Sequence, residues 1–385
     1  MKVSMSWLRE YVDIPASTPA RDIAALFISM GFEVESIETP GSDVSGSLVI
    51  GKVMAIEELT EFKKPIRFCQ VDVGLEHGGI RGIVCGARNF TVGDVVVAAI
   101  PGAVLPGNFA IVARETYGKI SDGMLCSERE LGLGDDHAGI IVLSTADAEI
   151  GDIAIPVLGL GDPVLDIAVN PDRGYAMSAR GLARELALAM NLPFRDPAFA
   201  IDSSNAFTSE GGVPAQIHDT RCSRLVATSM SDVDCTASTP RWMRNRLIAG
   251  GLRPVSVVVD ITNYVMLELG QPLHAYDAQQ VAGVLVARAP NAGEVLETLD
   301  HQKRTLDIDD LVIADQERVL GLAGVMGGVN SEISAATRSV ILEAAHFEGS
   351  AVAGMCRRHG FSTEASRRFE RGVDPAITKI AAERA

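Results

Sequence analysis

The chain has 385 residues, 47% of them hydrophobic and 22% charged, enough apolar material for two or three separate cores. A net charge of −16 excludes a general nucleic-acid binder, because backbone binding depends on Lys and Arg neutralising phosphates. Any RNA contact must come from local basic clusters or from another chain. No run reaches the ~18 apolar residues of a membrane span, and the opening residues 1–10 lack a signal-peptide core, so a cytoplasmic location is expected.

In chain order, residues 1–38 read as a small α/β module. A helical run over Arg21–Met30 stops at Gly31, and Phe32–Ile37 alternates as a half-buried strand does. From Leu48 to Leu143 short strands (Leu48–Val53, Phe68–Val73, Ile83–Cys85, Val95–Ile100) are separated by Gly, Pro and Asn. That density predicts a closed or nearly closed β-barrel, although a sandwich would give the same pattern. Residues 152–200 return to α/β character, with a strand at Val164–Val169 and a helix at Ala176–Asn191. The barrel is therefore expected to be inserted into a discontinuous domain.

Asp202–Asn205 reads as a linker. Beyond it, a helix is predicted at Pro240–Ala249, with strands at Val255–Asp260 and Gly283–Arg288. The Asp374–Ala385 stretch has helical periodicity and no stop signal, as if cut within a helix. Six cysteines (Cys69, Cys85, Cys126, Cys222, Cys235 and Cys356) form no C-x-x-C pair, which predicts reduced, mostly buried thiols and no metal site.

Four segments stand out: Thr262–Asp277, Ala323–Gly328, Val340–Glu343 and Arg357–Pro375. Each also has a bland reading. His274 can be an ordinary loop histidine, and Glu343 a solvated strand end. Ala323–Gly328 lacks the Lys-Ser/Thr of a phosphate loop, so it is better read as close backbone packing or a cramped pocket wall. The arginines from Arg357 to Arg371 can be a solvated helix face paired with Glu364 and Glu370.

Together, in this order and spacing, the four segments resemble the bacterial phenylalanyl-tRNA synthetase beta-subunit family. The likeness extends to Ser6-Trp7-Leu8, Met30–Val34, Ile83–Ala87, Ser121–Ser127 and Val169–Arg173. It implies a multidomain α+β chain. A discontinuous small α/β domain (1–39 plus 152–200) would carry an oligonucleotide-binding-type barrel for tRNA (40–151). A larger mixed α/β editing domain (205–385), truncated at its C-terminal end, would follow.

In the family the editing domain removes tyrosine wrongly attached to tRNA(Phe). Charging, with ATP and Mg²⁺, belongs to the alpha subunit of an α2β2 assembly; no cofactor is expected in this chain itself. By the same resemblance, His274 orients or deprotonates the attacking water, or keeps only a binding role if the tRNA's own 2′- or 3′-hydroxyl activates that water, and Glu343 accepts a hydrogen bond from the substrate phenol. Thr363 holds the substrate's amino or carbonyl group, and Arg253 meets the terminal adenosine or its phosphate. Gly327, Ala365 and Asn263 line the substrate pocket. A site that hydrogen-bonds a hydroxyl can discriminate by roughly 10⁴ to 10⁵, against about a hundredfold for an apolar pocket.

The barrel departs from the family over Leu59–Phe68 and at Arg88. Lys63, Lys64, Arg67 and Arg88 are left as a candidate basic face for tRNA, with a scaffold barrel as the alternative. For the whole chain, the alternative is a non-catalytic module that binds tRNA and assembles with the alpha subunit.

Overall fold

A computed structural model describes residues 1–62, 66–133, 139–199 and 213–385. The expected linker at Asp202–Asn205, and Lys63 and Lys64, lie outside the described residues. Two compact units emerge: residues 1–36, 165–239 and 246–385 form one, and residues 37–164 with 240–245 the other. The small module at the N-terminus thus shares a unit with the region from 246 onward.

The second unit is built on a curled antiparallel sheet. Its strands run in the order Met124–Leu125, Val95–Ala99, Leu48–Leu59, Ile66–Asp72 and Ile80–Cys85, and Val142–Leu143 also pairs with Val95–Ala99. Alternation along Leu48–Val53 and Val95–Ile100 sends side chains into two cores, one on each face of the sheet. Both faces are covered, which is why Val95–Ala99 is apolar at every position. Among the described residues the two end strands are not bonded to each other. Asp122 N–H instead donates to Gly82 O (2.8 Å) and Val84 N–H to Ser121 Oγ (3.0 Å), drawing the edges together.

In the first unit, Ser4 caps the Met5–Tyr11 helix by accepting from Trp7 N–H at 3.3 Å, and Trp7 stacks on Tyr264 at 5.5 Å. The helix predicted over Arg21–Met30 forms at Ala20–Ser29. The next helix runs over Ala179–Met190, capped by Ser178 and closed by Asn191 in the left-handed region (φ 53°). A three-stranded sheet places Val164–Ala168 between Lys2–Ser4 and Glu33–Glu38.

Among the described residues the remainder of the unit holds two larger sheets and a short pair, Val295–Glu297 with Lys303–Thr305. A five-stranded one contains Ala215–Ile217, Leu285–Arg288, Val312–Ala314, Val319–Leu322 and Met326–Gly327. A three-stranded one sets Val340–Phe347 between Cys222–Met230 and Leu273–Asp277. Helices Gly349–His359 and Glu364–Arg371 pack on them, and Phe347 and Phe369 meet in the shared core at 5.0 Å.

One prediction fails outright. Val255–Asp260 is not a strand: Val257 opens a helix that continues to Leu269 and ends on Gly270 in the left-handed region. The β-branched run suggested a strand locally, but the apolar stretch is long enough to be a buried helix, and burial overrides the propensity. Asp260 stabilises its start by accepting from Val255 N–H at 2.8 Å. Within this helix Glu268 is buried and accepts from the hydroxyls of Tyr11 (2.8 Å) and Tyr264 (2.7 Å) and from Arg384 (2.7 Å).

Candidate functional site

A cavity of about 430 Å³, its open mouth included, lies in the first unit beneath the three-stranded sheet. His274, Tyr276 and Glu343 supply its polar groups, while Gly327 and Ala365 are among its small walls.

The sheet explains how the polar groups meet. Leu273–Asp277 pairs antiparallel with Val340–Phe347 in a register that sets His274 directly opposite Glu343. Opposite residues project from the same face. Tyr276, two positions beyond His274, shares that face, and the two rings meet edge-on at 4.6 Å. The Tyr276 hydroxyl donates to Oε2 of Glu343.

Glu343 therefore lies in mid-strand at 6% exposure, not at a solvated strand end. Burial pushes its carboxyl up to about 7, against the opposing pull of the Tyr276 hydrogen bond. Burial also drives the His274 imidazole down to about 4, so the ring is neutral at pH 7 although part of its surface opens to the cavity. The Tyr276 phenol is raised well above its ordinary value, by burial first and then by the facing carboxylate.

Gly327 owes its identity to His274, since a Cβ there would stand 2.4 Å from the ring's Cε1 and Nε2. The Ala323–Gly328 segment is thus a cramped wall. Its turn passes through Gly324 at φ +71°, where a Cβ would also meet Phe369 at 2.8 Å.

Thr363 stands beside the cavity without lining it. It caps the Glu364–Arg371 helix, accepting from Ser366 N–H at 3.1 Å and donating to Val325 O at 3.0 Å. Its hydroxyl proton is thereby committed to the turn that carries Gly327. Arg253 is exposed on the segment before the Val257–Leu269 helix, and Asn263 lies within that helix; neither lines the cavity.

Of the arginine run, Arg367 is solvated and pairs with Glu364 at 3.2 Å. Arg368, by contrast, is buried at 1% exposure, reaching Glu364 at 2.9 Å and Met177 O at 3.1 Å. It is not part of a solvated face.

Sequence reasoning missed Tyr276 and Gln271. Gln271 is fully buried and donates to Ala345 O at 2.9 Å, which fixes the entry to the His274 strand. Position 271 gave no signal beyond an amide before a proline, whereas the period of two from His274 to Tyr276 was visible.

In the curled sheet Arg67 and Arg88 both pair with Glu58, at 3.0 and 2.9 Å, and Arg67 also lies 5.2 Å from the Phe90 ring centre. One carboxylate thus offsets one of the two arginine charges of the expected basic face. All six cysteines are free thiols, five of them buried. Among the described residues no group of His, Cys, Asp and Glu is arranged to hold a metal, and no helix is long and apolar enough to cross a membrane.

Two family models match the chain: a "Putative tRNA binding domain" over residues 48–152 and a "B3/4 domain" over residues 221–385. The phenylalanine–tRNA ligase beta subunit of Thermobifida fusca is 55% identical over 388 residues, a match covering all of this chain and 46% of that protein. The chain belongs to the phenylalanine–tRNA ligase beta-subunit family.

The beta subunit of Streptomyces avermitilis is 53% identical over 391 residues, again across all of this chain and 46% of that protein. The chain thus spans about half the length of the curated family members it matches. An N-terminal fragment of the beta subunit from Pyrococcus horikoshii aligns at 12% identity and a TM-score of 0.26, over 52% of this chain and 62% of that one.

Proposed function

We propose that this chain is the tRNA-binding and proofreading portion of a phenylalanine–tRNA ligase beta subunit, and that its cavity hydrolyses tyrosyl-tRNA(Phe). One observation carries the proposal: a buried carboxylate and a neutral imidazole face each other across paired strands in a cavity walled by Gly327 and Ala365. The curled sheet takes the part of an oligonucleotide-binding-type barrel for tRNA, supported by the match over residues 48–152. Charging with ATP and Mg²⁺ is assigned to the alpha subunit of a cytoplasmic α2β2 enzyme.

In the reaction, water adds to the ester carbonyl and the bond to the tRNA ribose oxygen breaks. Tyrosine leaves as the acid, and one proton passes to the ribose hydroxyl. Glu343 accepts the substrate phenol and fixes the ring. An imidazole titrating at about 4 is a weak proton acceptor at pH 7 but a good hydrogen-bond partner, so His274 orients the water. Thr363 acts by holding the Gly327 turn in place.

Purified chain at high concentration is expected to deacylate tyrosyl-tRNA(Phe), with Glu343→Ala and His274→Ala each slower by at least about tenfold. Equal rates in all three proteins would remove both residues from the mechanism. The rival role, a non-catalytic tRNA-binding and assembly module, is favoured by the positions of Arg253, Asn263 and Thr363 outside the cavity lining. Binding of tRNA with no deacylation at any enzyme concentration would select it.

A further inference from the structure

Resting on that reading of the cavity, we infer that Tyr276 is a positioning residue for tyrosine recognition. Its phenol holds one oxygen of Glu343 so that the other is presented to the ligand. Tyr276 Oη donates to Oε2, and among the described residues Glu343 has no other hydrogen-bond partner, which leaves Oε1 for an incoming hydroxyl. A carboxylate held at neither oxygen would turn freely, whereas the single hold at Oε2 orients the group and keeps both lone-pair sites of Oε1 available to accept. Tyr276 is 1% exposed, and its ring also abuts His274 at 4.6 Å, so one side chain sets both polar groups.

The surroundings add no competing charge. The Cys222–Met230 strand sets Ala227 opposite Glu343, and the Cys222 thiol is pushed up to about 12. On the other sides stand Gly327, Ala365 and Phe369, none of which titrates. Between about pH 5.5 and 8.5, Glu343 is the group in the cavity that changes charge, since His274 titrates at about 4.

The test uses two non-hydrolysable probes, 3′-(L-tyrosylamino)-3′-deoxyadenosine and its phenylalanyl counterpart, titrated calorimetrically into the whole chain from about pH 5.5 to 8.5. Wild type is expected to prefer the tyrosyl probe increasingly as Glu343 ionises. In Tyr276→Phe that preference should fall about tenfold and its midpoint should move to higher pH, because a donor to the carboxylate is gone. Affinity for the phenylalanyl probe should stay within about twofold, which a general loss of packing would not allow.

An unchanged or increased preference in Tyr276→Phe overturns the inference; an increase would mean the internal phenol competes with the ligand. If wild type binds both probes equally, the proofreading proposal itself falls and this inference with it. Should Tyr276→Phe not fold, the wild-type series decides, and a preference flat across the pH range overturns the inference.

Discussion

The His274 imidazole rests on the backbone of Gly327, with no room for even a methyl group between them: a Cβ at 327 would lie 2.4 Å from two ring atoms. Gly327→Ala should therefore displace the ring by pressure from below, leaving Glu343 in place. Deacylation of tyrosyl-tRNA(Phe) is expected to drop by about 10- to 100-fold, because an ångström of misplacement is costly to an oriented water. Overpacking should lower stability by ~1–3 kcal/mol, read from urea unfolding. A wild-type rate in this variant would show that the ring's position does not matter.

The two polar groups of the cavity oppose one another in their effect on stability with pH. Glu343 is raised from 4.5 to about 7, so its contribution is present below pH 4.5 and lost as pH rises through 7. His274 is lowered from 6.5 to about 4, so its contribution is present above pH 6.5 and lost as pH falls through 4. Over the interval they share, the slopes cancel. Glu343→Gln should break the balance, gaining ~2–3 kcal/mol relative to wild type between pH 5 and 8. Denaturant unfolding at the two pH values measures this, and parallel curves would refute it.

Glu268 gathers donors from Tyr264 one turn earlier in its own helix and from two distant parts of the chain, at positions 11 and 384. Glu268→Ala removes the acceptor of two buried phenol protons and the carboxylate that pairs with Arg384, and is expected to cost about 3 kcal/mol in equilibrium unfolding. Glu268→Gln, which keeps an acceptor, should cost less. Deacylation by the folded fraction should be unaltered, since the carboxylate does not line the cavity.

Glu58 offsets the two arginines of the curled sheet. Glu58→Gln should raise tRNA affinity at low salt and steepen the slope of log affinity against log salt by about one. Arg88→Ala, which removes a charge already paired, should change affinity less than about twofold. A filter-binding salt series separates these cases.

Much of the fold could be read directly. The alternation over Phe32–Ile37, the strands from Leu48 to Ile100 and the glycine stop after the first long helix obey local rules. Val255–Asp260 did not, because β-branched residues in a largely buried helix carry a strand's composition. The cavity was legible at Glu343, His274, Gly327 and Ala365 only through resemblance; nothing local in Val340–Glu343 says that the strand continues and is covered on both sides. Tyr276 was overlooked because aromatic residues in strands usually fill cores, and its role depends on a carboxylate 67 residues away. Arg67 and Arg88 looked available because Glu58 is brought beside them only by strand pairing.

The reach of the Glu268 cluster constrains how the polypeptide matures. A carboxylate whose partners sit at 11 and 384 cannot be neutralised until almost all of these residues have emerged from the ribosome. The pairings of the curled sheet all lie between residues 48 and 143 and face no such wait, so that sheet is expected to be native while the cavity that holds His274 and Glu343 is still unfinished.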